Sequence, residues 1–162
     1  MQDLVRRCDK VPYFGVPDEN GNYTFYRMKG FTAASVNRNP IEYSRQYIDE
    51  DFERCDIIGY KTALEYEFDM FKSSHIHKDI AAISEGEFTG SDAVRPVVMV
   101  DFSTEKDGVC SAVKRDFSII PSRDGEGFGA YIYSGQMKAN GKKADGTAVS
   151  TDDFETIVFT AA

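Results

Sequence analysis

Five Asn-Gly or Asp-Gly pairs punctuate this chain: Asn20-Gly21, Asp107-Gly108, Asp124-Gly125, Asn140-Gly141 and Asp145-Gly146. Such pairs accept the positive φ angles that tight hairpin turns demand. The runs between them are rich in β-branched and aromatic residues, which suit a pleated surface. A chain that reverses so often is restricted to antiparallel, mainly β architectures.

The strands read directly from those runs. Residues 23–28 are aromatic-rich and follow the first turn. Residues 62–71 alternate, with Leu64, Tyr66, Phe68 and Met70 on one side and Glu65, Glu67 and Asp69 on the other. That period of two predicts a half-buried strand with one acidic face. Residues 94–102 are apolar, with Pro96 near the start, where a missing ladder donor is tolerated. Further strands are predicted over 109–120 (Val109, Val113, Phe117 and Ile119 on one face), 130–138 and 154–160.

One helix stands apart. Ser73 or Ser74 can cap it, Ile76, Ile80 and Ile83 then share a face, and Gly86 is expected to end it in a left-handed conformation. The predicted architecture is a β-sandwich or barrel-like sheet with one short flanking helix. Residues 1–22, with Pro12 and Pro17, are expected to form an N-terminal arm on a domain spanning 23–162. Residues 39–60 read as a strand and then a long loop, about 45–60, mixing Tyr43, Tyr47 and Phe52 with acids. Excursions of that length usually have a function or bind a partner.

The net charge of −8, from 27 acids against 19 bases, argues against tight wrapping of DNA or RNA, which needs clustered cations. It is compatible with a surface that must sit near nucleic acid without holding it. No targeting segment is expected, and no apolar run approaches the roughly 20 residues of a membrane helix. Cys8, Cys55 and Cys110 are odd in number and form no CxxC pair, so neither a disulfide framework nor a zinc site is expected.

The catalytic inventory is thin. His75 and His77 lie two apart in the predicted helix and do not face each other, so they read as polar first-turn residues rather than metal ligands. No GxSxG elbow supports a hydrolase triad. Gly125, Gly127 and Gly129 precede a strand rather than a helix, which fits a wide hairpin loop and not a dinucleotide loop. The acids Asp49, Glu50, Asp51 and Glu53 lack the glycine and terminal glutamate of an EF-hand loop. Lys138, Lys142 and Lys143 cluster around a turn, as a solvated tip or as partners for a neighbouring subunit. No enzyme, cofactor or metal function is expected.

Several segments, taken in order, carry a family resemblance. They are Asn39-Pro40-Ile41-Glu42-Tyr43-Ser44-Arg45-Gln46-Tyr47-Ile48-Asp49-Glu50 with Asp56-Ile57-Ile58-Gly59-Tyr60, and then the acidic-aromatic run 64–71 with His77-Lys78-Asp79-Ile80. Asp92-Ala93-Val94-Arg95 follows, leading into Val97-Val98-Met99-Val100-Asp101. Lys114-Arg115-Asp116-Phe117-Ser118-Ile119-Ile120-Pro121, Tyr133-Ser134-Gly135 and Gly146-Thr147 complete the series. Over residues 39–160 the chain resembles the major tail tube protein of long-tailed bacteriophages.

That resemblance implies a subunit that forms hexameric rings, which stack into a hollow tube whose lumen is lined by joined sheets. DNA passes through such a tube without specific binding. The implied partners are further copies of the chain and the tape-measure, tail-terminator and baseplate proteins. The implied location is the virion, after assembly in the host bacterial cytoplasm. Similar folds build the inner tubes of contractile tails, bacteriocins and secretion machines. On this reading Glu65, Glu67 and Asp69 are expected on the lumen wall. Tyr43, Arg45, Tyr47 and Phe52 are expected at a self-assembly interface, with Arg45 bridging to a neighbour's carboxylate; otherwise Tyr43 and Tyr47 belong to the core and Arg45 is solvated. A β-sandwich that binds a carbohydrate or protein at a surface is the competing reading.

Overall fold

Valine, isoleucine and aromatic runs separated by tight turns give eleven strands and one helix in the computed structural model of the chain, which describes residues 3–162. In chain order the strands are β1 (Lys10–Pro17), β2 (Tyr23–Arg27), β3 (Phe31–Asn37), β4 (Pro40–Arg45), β5 (Arg54–Tyr60) and β6 (Ala63–Asp69). After the helix α1 (His75–Glu85) come β7 (Val94–Lys106), β8 (Val109–Glu126), β9 (Ile132–Ala139), β10 (Ala144–Val149) and β11 (Thr156–Ala161). Nine strands form one antiparallel sheet in the order β10-β11-β2-β1-β7-β8-β9-β6-β3, while β4 and β5 pair only with each other.

Part of that sheet closes on itself. β10 also pairs with β8, from Ala144↔Lys114 to Ala148↔Cys110, so β10, β11, β2, β1, β7 and β8 make a six-stranded closed barrel. Its interior is packed with Tyr13, Phe25, Val98, Val100 and Ile157, and with small residues (Cys110, Ala112 and Ala148) where β8 meets β10. Side chains fill a barrel of this size.

A second core lies outside the barrel. Phe14 and Val97 leave β1 and β7 on the opposite face from Tyr13 and Val98, and meet Leu64, Tyr66 and Phe68 of β6. Phe117 and Ile119 of β8, Tyr133 and Met137 of β9, and Ile76, Ile80 and Ile83 of α1 complete it. The mainly β, barrel-like fold with one short helix is therefore as the sequence reading expects. The alternation over β6 also holds, with Leu64, Tyr66 and Phe68 buried.

A cap, an ion pair and a buried ring help to hold the helix. The Ser74 hydroxyl accepts from the His77 backbone N–H, the expected N-cap. Arg95 on β7 donates to Asp79 on α1 from Nε to Oδ2 at 2.8 Å and from Nη2 to Oδ1 at 3.3 Å. His77 is buried, not a polar first-turn residue: its ring stacks on Phe68 with centroids 4.3 Å apart. Its Nδ1 accepts from the Phe71 N–H, so Nε2 carries the proton and donates to the Lys29 carbonyl at 2.9 Å.

Gly86 does not supply the left-handed residue that ends α1. Its φ is −81°, and Glu87 at φ 51° takes that position, with Glu87 and Phe88 N–H groups closing on the Ser84 and Ile83 carbonyls. Glycine is required at 86 for space, since a Cβ there would run into the Phe88 ring.

The expected N-terminal arm is also corrected. Within residues 1–22, Lys10–Pro17 is an interior strand, paired with β7 on one side and β2 on the other. Pro12 fits because it points its carbonyl toward the β2 side, accepting from the Met28 N–H just beyond the β1–β2 ladder, where the missing donor costs no rung. The sequence reading also passes over β3 and β10 as strands. Asp107-Gly108 is a two-residue hairpin turn, Asn20-Gly21 and Asn140-Gly141 lie in connections, and Asp124-Gly125 sits at a break in β8 register. Asp145-Gly146 is no turn: it lies in β10, where a Cβ on Gly146 would meet the Thr160 carbonyl and the Phe159 ring.

Candidate functional site

β3 and β6 pair from Phe31↔Phe68 to Asn37↔Ala63, and β4 and β5 continue the same antiparallel course from Pro40↔Tyr60 to Arg45↔Arg54. The junction is pinned by Asn39, at φ 45°, whose backbone carbonyl accepts from Lys61 N–H and whose side chain donates to the Lys61 carbonyl. Residues 39–60 are thus a β-ribbon projecting from the sheet, not a strand followed by a loop. At about 3.4 Å per residue, the five steps of β4 from Pro40 to Arg45 alone give a reach of roughly 17 Å, and the turn extends beyond them.

Among the described residues, nothing covers either face of this ribbon. Every residue of β5 except Gly59 is exposed, and so are most of β4. Tyr43, Tyr47, Phe52, Ile57, Ile58 and Tyr60 all stand out from it, with Phe52 63% exposed and Ile48 at the tip fully so. An isolated two-stranded hairpin is marginally stable in water. This one is stiffened at its tip by Arg54, which grips both carboxylate oxygens of Glu50 at 2.7 and 2.6 Å.

The structure gathers Tyr43, Arg45 and Tyr47 and places Phe52 in the turn of the same ribbon. Tyr43 and Tyr47 are not core residues. Arg45 lies 5.1 Å from the Tyr43 ring and 5.6 Å from the Tyr47 ring, donates from Nε to the Tyr47 hydroxyl at 2.9 Å, and pairs with Asp56 at 2.6 Å. The guanidinium is therefore engaged inside its own ribbon, which keeps it protonated, while its Nη1 is buried without a hydrogen-bond partner among the described residues. Its role within the subunit is to brace the ribbon. The apolar side chains at the tip, and Ile57, Ile58 and Tyr60, remain uncommitted; of these the sequence reading named only Phe52 as an interface candidate.

Glu65, Glu67 and Asp69 share the face of β6 opposite Leu64, Tyr66 and Phe68. Glu65 is exposed, and Glu67 and Asp69 are half-buried; Glu67 accepts from the Thr32 hydroxyl at 2.9 Å. Among the described residues, β3 beside them is the one end of the nine-stranded order that no second strand covers. An open edge is a template for pairing with another chain.

No family model matches the sequence, and no curated protein matches it. Among the described residues no three His, Cys, Asp or Glu side chains group closely enough to hold a metal ion, and no helix is long and apolar enough to cross a membrane.

Proposed function

We propose that the chain is a structural subunit that assembles into hexameric rings stacked as the hollow tail tube of a bacteriophage, with DNA passing through the lumen. The observation that carries this reading is the uncovered ribbon of β4 and β5. A protein that leaves seven large apolar side chains on a stiffened, isolated hairpin needs a partner surface to cover them. The open edge of β3 supports it further, since edge pairing around a ring satisfies those backbone groups. The acid row on the neighbouring strand fits a wall that repels phosphate. Rings and tubes place the subunit in the virion, with tape-measure, terminator and baseplate proteins as the partners that set tube length and ends.

Negative-stain electron microscopy at rising concentration tests this. Six-fold rings or hollow tubes are expected. Monomers that persist at high concentration, and with tail initiator proteins added, would replace it with the surface-binding module, for which an aromatic ribbon is equally suited. A sheath gene beside this one would assign the tube to a contractile machine.

A further inference from the structure

The ribbon has a counterpart elsewhere on the same molecule. A cleft of about 590 Å³ opens between β3 and β6 on one side and β1, β7, β8 and β10 on the other. Leu64, Met99 and Phe117 give it an apolar floor where the second core reaches the surface. Lys10, Arg38, Arg115 and Lys143 line its rim, against two carboxylates, Asp101 and Asp145. Lys143 is paired with Asp145 at 3.3 Å, while the Nε of Arg115 is buried without a hydrogen-bond partner among the described residues. A cleft with a net cationic rim is unusual on a chain of net charge −8.

The ribbon is its complement in both respects. Residues 40–60 hold six acids (Glu42, Asp49, Glu50, Asp51, Glu53, Asp56) against Arg45 and Arg54, a net of −4, half the charge of the whole chain. Glu50 and Asp56 are taken by Arg54 and Arg45, whereas Asp49, Asp51 and Glu53 at the tip have no cationic partner among the described residues. Those three flank Ile48 and Phe52, the exposed apolar pair. An apolar pair ringed by free acids matches an apolar floor ringed by cations.

Resting on the subunit reading above, we infer that the ribbon tip of one copy seats in the β3–β6/β7–β8 cleft of a second copy. Ile48 and Phe52 cover the floor, and Asp49, Asp51 and Glu53 face the basic rim. Each copy carries one tip and one cleft, so the contact is heterologous and propagates from copy to copy rather than closing a pair.

Charge reversal tests it on the full-length chain. Arg38→Glu with Lys143→Glu alters the rim, and Asp51→Lys with Glu53→Lys alters the tip. All four positions are exposed, and the Lys143–Asp145 pair that the rim variant breaks is a solvated surface pair of little worth, so the monomers should melt within a few degrees of the wild type. Either pair alone should raise the concentration needed for assembly by at least about tenfold, and the four together should return it to within about threefold of wild type, the signature of a direct coupling. Wild-type tubes with unchanged assembly in the rim variant would overturn the contact and leave the subunit reading standing. Assembly lost in the rim variant but not restored by the tip reversal would mean that another part of the neighbour fills the cleft, which also overturns it. A wild-type chain that never assembles removes the subunit reading itself.

Discussion

Asp79 on α1 and Arg95 on β7 meet as a two-point ion pair with about a tenth of each side chain exposed. Arg95 has its Nη1 satisfied as well, by the Asp92 and Val94 carbonyls. Removing one partner leaves the other charge buried, so Asp79→Ala should cost about 3–5 kcal/mol in urea denaturation. Replacing both with apolar residues of similar volume, Asp79→Leu with Arg95→Met, should recover most of that loss. A small effect for Asp79→Ala would show that solvent reaches the pair.

His77 predicts a pH dependence. Burial against Phe68 holds its pKa below the ordinary 6.5, outweighing the Lys29 carbonyl and the Asp69 charge, which favour protonation. As pH falls through 6.5 the unfolded chain takes up a proton that the folded chain refuses. The stability His77 contributes is therefore complete above about 6.5 and is lost as pH falls toward its folded value, at up to about 1.4 kcal/mol per pH unit. Melting curves between pH 7.5 and 5 should fall more steeply for the wild type than for His77→Phe, and parallel curves would remove the imidazole as the cause.

Ile48→Ser with Phe52→Ser should separate folding from assembly. Both side chains are exposed, so the monomer should keep its melting temperature within the spread of ordinary surface changes, about 0.5 kcal/mol. Tube formation, followed by light scattering, should be lost. A destabilised monomer would mean instead that the tip folds back on its own subunit.

Neutralising Glu65→Gln, Glu67→Gln and Asp69→Asn should leave the fold intact: glutamine retains an acceptor for Thr32 at 67, and losing the Asp69 charge removes an influence that favours protonating the buried His77. Assembled tubes should nevertheless deliver DNA more slowly if these acids line the lumen. Normal delivery would take the row off that wall.

Legibility in the sequence followed the number of buried faces. β6 buries one, and its alternation gave the strand and its core side directly; α1 announced itself through Ile76, Ile80 and Ile83. β1 buries Tyr13 in the barrel and Phe14 outside it, so its five successive buried residues, Val11–Gly15, show no period, and two prolines made it look like a tail. β8 changes faces along its length, burying Cys110 and Ala112 in the barrel and then Phe117 and Ile119 in the second core. Gly146 looked like a turn because the closeness of Thr160 exists only once β10 and β11 have paired. In the ribbon, Tyr43 and Phe52 were visible as unplaced aromatics. The pairing of Arg45 with Asp56, eleven positions away, required the hairpin register.

The continuity of β3 and β6 with the projecting ribbon also determines how the molecule carries load. A pull on the tip runs down β6 along its own axis, and β6 is joined to β9 by a ladder of seven pairs from Ala63↔Lys138 to Asp69↔Ile132. Tension along the strand shears that ladder, so its rungs resist together instead of peeling apart in turn. The two Asn39–Lys61 hydrogen bonds couple the ribbon to that ladder, so the molecule is stiff to extension along the ribbon axis.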